Sequence, residues 1–246
     1  MTTIDTITKA AGTLAEGYET EALARAFWTL VCAPNDLIAG ELITTLGPIE
    51  ALEVATGTPE VTDSEDLATL KERVKARANA SQFAQVLRAT ARFGVKLVTP
   101  ESEYWPKGMN DLGNAAPFAL WVRGNVEILA RSDQIAIVGA RAATGYGEHV
   151  TMELAAGLSD RGRTIVSGAA YGIDGMAHRA ALASHGKTVA YLAGGVDRYY
   201  PSGHDALLTR IAEEGAVVSE LPVSSPPTKW RYVDRTKRPW HRRGQW

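Results

Sequence analysis

Ile135-Ala-Ile-Val-Gly-Ala-Arg-Ala-Ala-Thr-Gly-Tyr-Gly147 decides how this chain is read. Four apolar residues run into a glycine turn, and a helical pattern follows. A short apolar run bounded by glycine, then a helix, is how a buried parallel strand delivers a loop to one end of a sheet. The same unit recurs downstream. Strands are expected at 135–138, 164–167, 188–192 and 216–219, with helices at 146–161, 173–184 and 205–214 between them. Strands alternating with helices of this length imply right-handed crossovers and a parallel sheet. Ligands of open α/β sheets bind outside the carboxyl ends of the strands, so Gly139, Arg141 and Thr144 stand at the mouth of a candidate site.

Upstream, two short strands at 95–98 and 118–123 flank the aromatic-proline turn Glu103-Tyr-Trp-Pro106 and read as a lead-in covering an edge of the sheet. Before them the period is helical. Residues 1–19 have weak periodicity and read as a frayed start. Helices follow at 20–31, with Thr20 able to cap, at 37–46 and at 49–55, and Gly47-Pro48 separates the last two. Helix, short turn, helix resembles a helix-hairpin-helix or SAM-like bundle, which touches nucleic-acid backbone in some proteins and in others only packs or dimerises. Residues 63–92 read as one long polar helix connecting to the sheet. The expected fold class is therefore α/β: an extended Rossmann-like parallel sheet with a small helical N-terminal domain. The expected division is 1–85 helical, 86–228 Rossmann-like, and 229–246 a divergent basic tail.

Size and composition narrow the function classes. The 246 residues suffice for one large or two ordinary domains. No apolar run approaches the ~20 residues of a membrane span, and the N-terminus lacks the basic start and apolar core of a secretory signal. A cytoplasmic protein without membrane attachment is expected. A single cysteine, Cys32, excludes an internal disulfide and a cysteine-based zinc site. The net charge of −2 argues against a nucleic-acid binder, but the tail hides a patch. From Thr228 it carries Lys229, Arg231, Arg235, Lys237, Arg238, Arg242 and Arg243 against Asp234, with Trp230, Tyr232, Trp240 and Trp246 interleaved.

Three glycine-bearing loops should share one end of the sheet: Gly139–Thr144, Ser167–Asp174 and Ala193–Pro201. Glycine lets backbone N–H groups approach an anion, and each following helix start adds partial positive charge. A phosphate-binding cleft is the expectation. The spacing is not G-x-G-x-x-G, the second strand ends without an acid for a ribose, and no Gly-Lys-Ser/Thr is present, which disfavours a nicotinamide dehydrogenase and a P-loop ATPase. Arg141 can hold phosphate bidentately; as a mere surface cation at a helix start it would oppose the helix dipole. Thr144 suits an N-cap or a phosphate contact. Asp174 and His178 lie four residues apart on one helix face but lack a third ligand or a nucleophile, so an N-cap and a helix-face partner are expected of them. Arg198 beside Tyr199-Tyr200 suits single-stranded nucleic acid, where bases stack and phosphates pair; alternatively the tyrosines pack the loop against Pro201.

Together, Val138–Gly147, Ser167-Gly-Ala-Ala-Tyr-Gly-Ile-Asp-Gly-Met-Ala-His178, Gly195-Val-Asp-Arg-Tyr-Tyr-Pro201 and Ser219-Glu-Leu-Pro222 resemble the DNA-processing protein A (DprA, or Smf) family. The resemblance extends to Glu103–Pro106, Pro117 and Arg123-Gly-Asn125 and covers most of the chain. It implies an extended Rossmann fold behind a SAM-like helical domain, and a dimer. It also implies single-stranded DNA binding with loading of a RecA-type recombinase during natural transformation, and no enzymatic activity, cofactor or metal. Carried over by motif, the DNA-contacting arginine falls on Arg141 and the basic residue of the Tyr-Pro loop on Arg198. The pocket-lining loop falls on Ser167, Gly168, Gly172 and Asp174, and the glycines of the third loop are Gly194 and Gly195. The family continues past Ser-Glu-x-Pro into Arg-Asn-Arg and further strands and helices. Here Thr236–Trp246 departs from that pattern, so the last elements are expected to be missing and a sheet edge to be unpaired. A second reading is a nucleotide-binding enzyme or sensor of the lysine-decarboxylase-like (LOG) group. Ala193-Gly-Gly-Val-Asp197 lacks that group's Pro-Gly-Gly-x-Gly-Thr loop.

Overall fold

The computed structural model describes residues 1–57, 60 and 63–227. The basic aromatic tail expected to carry charge, from 228 onward, lies outside the described residues.

Six helices open the chain: α1 (Thr3–Ala11), α2 (Thr20–Val31), α3 (Leu37–Leu46), α4 (Pro48–Thr56), α5 (Glu65–Arg77) and α6 (Ala80–Arg92). The start of the chain is not frayed. Thr2 and Asp5 form a capping box on α1, and Ile4, Ile7 and Ala11 bury one face of it. That single face is short, which is why its period is weak in the sequence. Asp36 caps α3 by accepting from the Ala39 amide, and Pro48 occupies the first position of α4 after Gly47 at φ +80°. The long connecting helix expected over 63–92 is two helices. The chain breaks at Ala78, and the Asn79 side chain caps a new start by accepting from the Gln82 amide.

The sheet has six strands in the order β1-β2-β6-β5-β4-β3. These are β1 (Lys96–Val98), β2 (Leu120–Gly124), β3 (Gln134–Ala136), β4 (Thr164–Ser167), β5 (Thr188–Tyr191) and β6 (Ala216–Ser219). β3 to β6 form the expected parallel ladder, joined through α7 (Gly145–Asp160), α8 (Ile173–Ala183) and α9 (Asp205–Glu214). The lead-in strands cover an edge by joining the sheet: β2 pairs antiparallel with β6, and β1 with β2. At that junction Gly124 sits at φ +112°, and any Cβ there would fall 2.5 Å from the Gly215 carbonyl oxygen.

One face of the sheet carries Ile165, Ala190 and Val217 and packs on the helices. The other carries Val166, Val189 and Val218 and packs on Trp105, Met109, Ile128 and Leu129. Trp105 donates its indole N–H to Asn110, so the aromatic-proline turn is part of this second core. The N-terminal helices share an apolar cluster with the first face. Trp121 of β2, fully buried, donates to Thr29 of α2 at 3.1 Å, and Arg25 pairs with Glu101 at 2.6 Å. Cys32 is buried, which pushes its thiol up to about 12. Among the described residues no helix is long and apolar enough to cross a membrane.

Candidate functional site

All three glycine loops leave the same end of the parallel ladder, and the second joins the other two. Asp174 is the joint. It is 3% exposed, and its carboxylate accepts from the amides of Gly139 (3.4 Å), Gly168 (3.2 Å) and Ala170 (3.3 Å). It is therefore not the N-cap of α8. That position belongs to Gly172, at φ +73°. A Cβ on Gly172 would lie 2.2 Å from the Ala140 carbonyl oxygen and 2.5 Å from that of Arg141. Only glycine lets the second loop seat against the first. On the other side Ala170 packs on Ala193 of the third loop.

This geometry divides the residues singled out from the sequence. Gly139, Arg141, Thr144 and Arg198 are exposed and Gly172 is half-buried, whereas Ser167, Gly168, Asp174, Gly194 and Gly195 are buried. Several amides expected to meet an anion are already engaged. Those of Gly139 and Gly168 point at the Asp174 carboxylate, an anion the chain supplies itself, and that of Gly195 donates to the Ser225 carbonyl at 2.9 Å. Gly194 and Gly195 lie under the segment that follows β6. A Cβ on Gly194 would sit 2.9 Å from the Pro227 nitrogen, and one on Gly195 3.0 Å from the Pro222 oxygen. Ser167 donates its hydroxyl to the Ile137 carbonyl at 2.6 Å. Thr144 caps α7, accepting from the Gly147 amide at 3.2 Å.

The solvent-facing rim thus consists of side chains more than of amides. Its cations are Arg141 and Arg198. Tyr200 is 49% exposed beside Arg198, whereas Tyr199 turns inward to the core, with the Arg123 guanidinium 5.3 Å from its ring centre. One residue that the sequence reading passed over completes the rim, and a second supports it from beneath. Tyr171, at the tip of the second loop, is 48% exposed, and its ring meets that of His204 edge-on at 4.9 Å. His204 is 3% exposed and hydrogen-bonds the Ala169 carbonyl through Nδ1 at 3.0 Å. A carbonyl can only accept, so the proton is on Nδ1. Gly203 leaves room for the Tyr171 hydroxyl, which would lie 2.7 Å from a Cβ there. The signal was present, since Tyr171 is the one aromatic side chain in the Ser167–Asp174 loop. His178, on the Asp174 face of α8, is fully buried and meets the Thr188 hydroxyl at 2.7 Å. Among the described residues no group of three or more His, Cys, Asp or Glu side chains is arranged to hold a metal ion.

Known proteins carry the same architecture. The chain is 39% identical over 231 residues to DNA processing protein DprA of Mycobacterium tuberculosis, covering 88% of this chain and 57% of that one. It is 30% identical over 174 residues to DprA of Bacillus subtilis, covering 68% and 58%. The chain thus spans a little over half the length of these relatives. Among solved structures, DprA of Streptococcus pneumoniae superposes with a TM-score of 0.66 at 23% identity, covering 87% of this chain and 71% of that one. DNA processing protein A of Helicobacter pylori, described for its single-stranded DNA binding mode, superposes with a TM-score of 0.53 at 28% identity, covering 60% and 65%. The family pattern of DNA recombination-mediator protein A matches residues 96–238, more than half of the chain and all three loops. This chain belongs to the DNA recombination-mediator protein A family.

Proposed function

We propose that this chain binds single-stranded DNA along the rim of the three loops and takes part in DNA processing during natural transformation. The observation that carries the reading is the convergence of exposed Arg141 and Arg198 with exposed Tyr171 and Tyr200 on loops held together by Asp174 and Gly172. Guanidinium groups pair with phosphates, and bases stack on tyrosine faces whatever their identity. The H. pylori protein, described for single-stranded DNA binding, shares the fold. Ser167, Gly168, Asp174, Gly194 and Gly195 act in this reading as the frame that sets the rim, not as its contact surface.

The finer steps belong to the same proposal: hand-over of the bound strand to a RecA-type recombinase, action as a homodimer, a cytoplasmic setting, and no catalytic step or cofactor. The test is titration of labelled single- and double-stranded oligonucleotides at two salt concentrations. Single strands should bind more tightly. Arg141→Ala should weaken binding regardless of sequence and flatten the salt dependence by about one phosphate, a slope change of ~0.7. An Arg141→Ala protein with unchanged affinity and slope sinks the proposal. Recombinase hand-over is read separately, as faster filament assembly on strands coated with a single-strand binding protein.

A further inference from the structure

Charge in the helical part of the chain is sorted by position. Residues 1–72 hold thirteen Asp or Glu against three Lys or Arg. Residues 73–100 hold Arg73, Lys75, Arg77, Arg88, Arg92 and Lys96 and no acid. The net charge of −2 conceals this run as it conceals the tail. The structure keeps the run together on two consecutive helices. Lys75 and Arg77 end α5, Arg88 and Arg92 lie on α6, and all four are exposed. On α6, Ser81, Gln85, Arg88 and Arg92 recur at helical spacing on the face opposite buried Phe83, Leu87 and Thr90.

Helix stability accounts for part of this. Lys75, Arg77 and Arg92 sit in last turns, where cations complement the helix dipole. It accounts neither for Arg88 nor for the missing acids. A helix face that serves only solubility interleaves both signs, and its (i, i+4) pairs stabilise it. Among the described residues none of Lys75, Arg77, Arg88 and Arg92 forms an ion pair. Arg77 donates to the Val31 carbonyl at 3.2 Å, and the Arg92 guanidinium lies 5.6 Å from the Phe93 ring centre. Like charges left in this way repel one another, a cost that an anionic partner removes.

A cleft joins this face to the rim. It has a volume of about 690 Å³, and its lining includes Arg77, Asn79, Gln82 and Gln85 at the α5–α6 junction and the segment Leu221–Pro226. Among the described residues no acid lines it. The segment is the one that seals the third loop: Ser224 donates its amide to Asp197, and Ser225 accepts from that of Gly195. Asp197 precedes Arg198, so the Arg198 end of the rim and the cleft adjoin one short segment.

Resting on the rim reading above, we infer that the bound strand does not end at the rim. A single strand leaving Arg198 and Tyr200 crosses Ser224–Pro226, enters this cleft and runs onto the Arg77/Arg88 face of the helical domain, a second phosphate-binding track. Arg77, Arg88 and Arg92 pair with phosphates, and the amides of Gln82 and Gln85 hydrogen-bond base edges. The contact is not made through the turn at Gly47-Pro48, whose flanking helices carry Glu41, Glu50 and Glu53 and no Lys or Arg.

The test uses the full chain and labelled single strands of two lengths, about eight nucleotides to fill the rim and about thirty, at two salt concentrations. The unmodified chain should bind the longer strand more tightly and with the steeper salt dependence. Arg77→Gln combined with Arg88→Gln removes two charges and keeps good helix formers. It should weaken the long strand about tenfold, flatten its slope by ~1.4, and change the short strand by less than about twofold. Arg88→Gln with Arg92→Gln repeats the test without touching the Val31 contact, for the case in which the first pair lowers the urea midpoint. Arg161→Gln with Arg163→Gln, before the amino end of β4, should leave both lengths unaffected. Unchanged long-strand affinity and slope in both α6 pairs overturns the track. So does an equal loss on both lengths, or an equal loss from the Arg161 and Arg163 pair, since binding would then follow net charge alone. A loss with Arg141→Ala and none with the α6 pairs keeps the rim and rejects the track. A loss with the α6 pairs and none with Arg141→Ala rejects the rim, and the continuous path with it.

Discussion

The first and third glycine loops leave the same end of the same sheet and have opposite surroundings. Gly139–Thr144 is mostly exposed, with its arginine and threonine on the rim. Gly194 and Gly195 are buried beneath Leu221–Pro227, where Asp197 accepts from the Ser224 amide at 2.7 Å and Ser225 accepts from that of Gly195. In both loops glycine reports that something comes close to the backbone. At Gly139 it is the Ile173 side chain, 2.7–2.9 Å from where a Cβ would sit, although the loop's arginine stays on the surface; at Gly194 and Gly195 it is the chain's own later segment, which covers the whole turn. Between them the second loop bonds to the first and packs against the third, so substitutions across the three can pull that contrast apart.

The largest effect is expected at Gly172, where the first and second loops meet. Alanine there would need a left-handed backbone at φ +73° and would press on the Ala140 and Arg141 carbonyls at 2.2–2.5 Å. Strain and overpacking together should cost about 4 kcal/mol, read as a lower unfolding midpoint in urea. A loss below about 1 kcal/mol would mean that the first loop is not braced by the second.

Asp174→Asn comes next. The amide keeps one acceptor but turns an N–H₂ toward donors, leaving at least one of the Gly139, Gly168 and Ala170 amides buried without a partner. The expected cost is about 2 kcal/mol. Gly194→Ala should be milder, about 1 kcal/mol, because its new Cβ meets Pro227 at 2.9–3.2 Å, where a small shift of the covering segment gives relief. If Gly194→Ala weakened DNA binding with stability unchanged, the third loop would have to be an open cradle after all.

Much of this was legible beforehand, and the rest failed for identifiable reasons. The β3–β6 units stood out because apolar runs, glycines and helical periods repeat in step, and their observed limits fall within two residues of expectation. The break at Asn79 was hidden because Ala80–Arg92 continues the polar helical composition of Glu65–Arg77, and only the cap marks the restart. Arg141 and Arg198 were placed on the surface from loop position alone, and both are exposed. The roles of Asp174 and Gly195 were not readable, because Asp174 reaches across to the Gly139 amide of the first loop while also bonding Gly168 and Ala170 of its own, and Gly195 bonds Ser225, thirty residues downstream. The inward turn of Tyr199 depended likewise on Arg123, which reaches it from a different strand.

The smallest effect belongs to Gly145, which opens α7 two residues before the amide that Thr144 caps. It shares the glycine-rich look of the sealed loop, yet a Cβ there would meet nothing within 4 Å. Its backbone is helical and does not require a positive φ. Alanine is the better helix former by up to ~1 kcal/mol in a helix interior and by less at a first position, so Gly145→Ala should leave the urea midpoint unchanged or raise it by up to about 0.5 kcal/mol. Folding therefore gives no reason for glycine at 145, in contrast to Gly172 and Gly194. If Gly145→Ala folds normally but binds single-stranded oligonucleotides more weakly, the close approach that glycine permits is being made by the nucleic-acid backbone. If affinity is also unchanged, the first loop contacts DNA through Arg141 and Thr144 rather than through the start of α7.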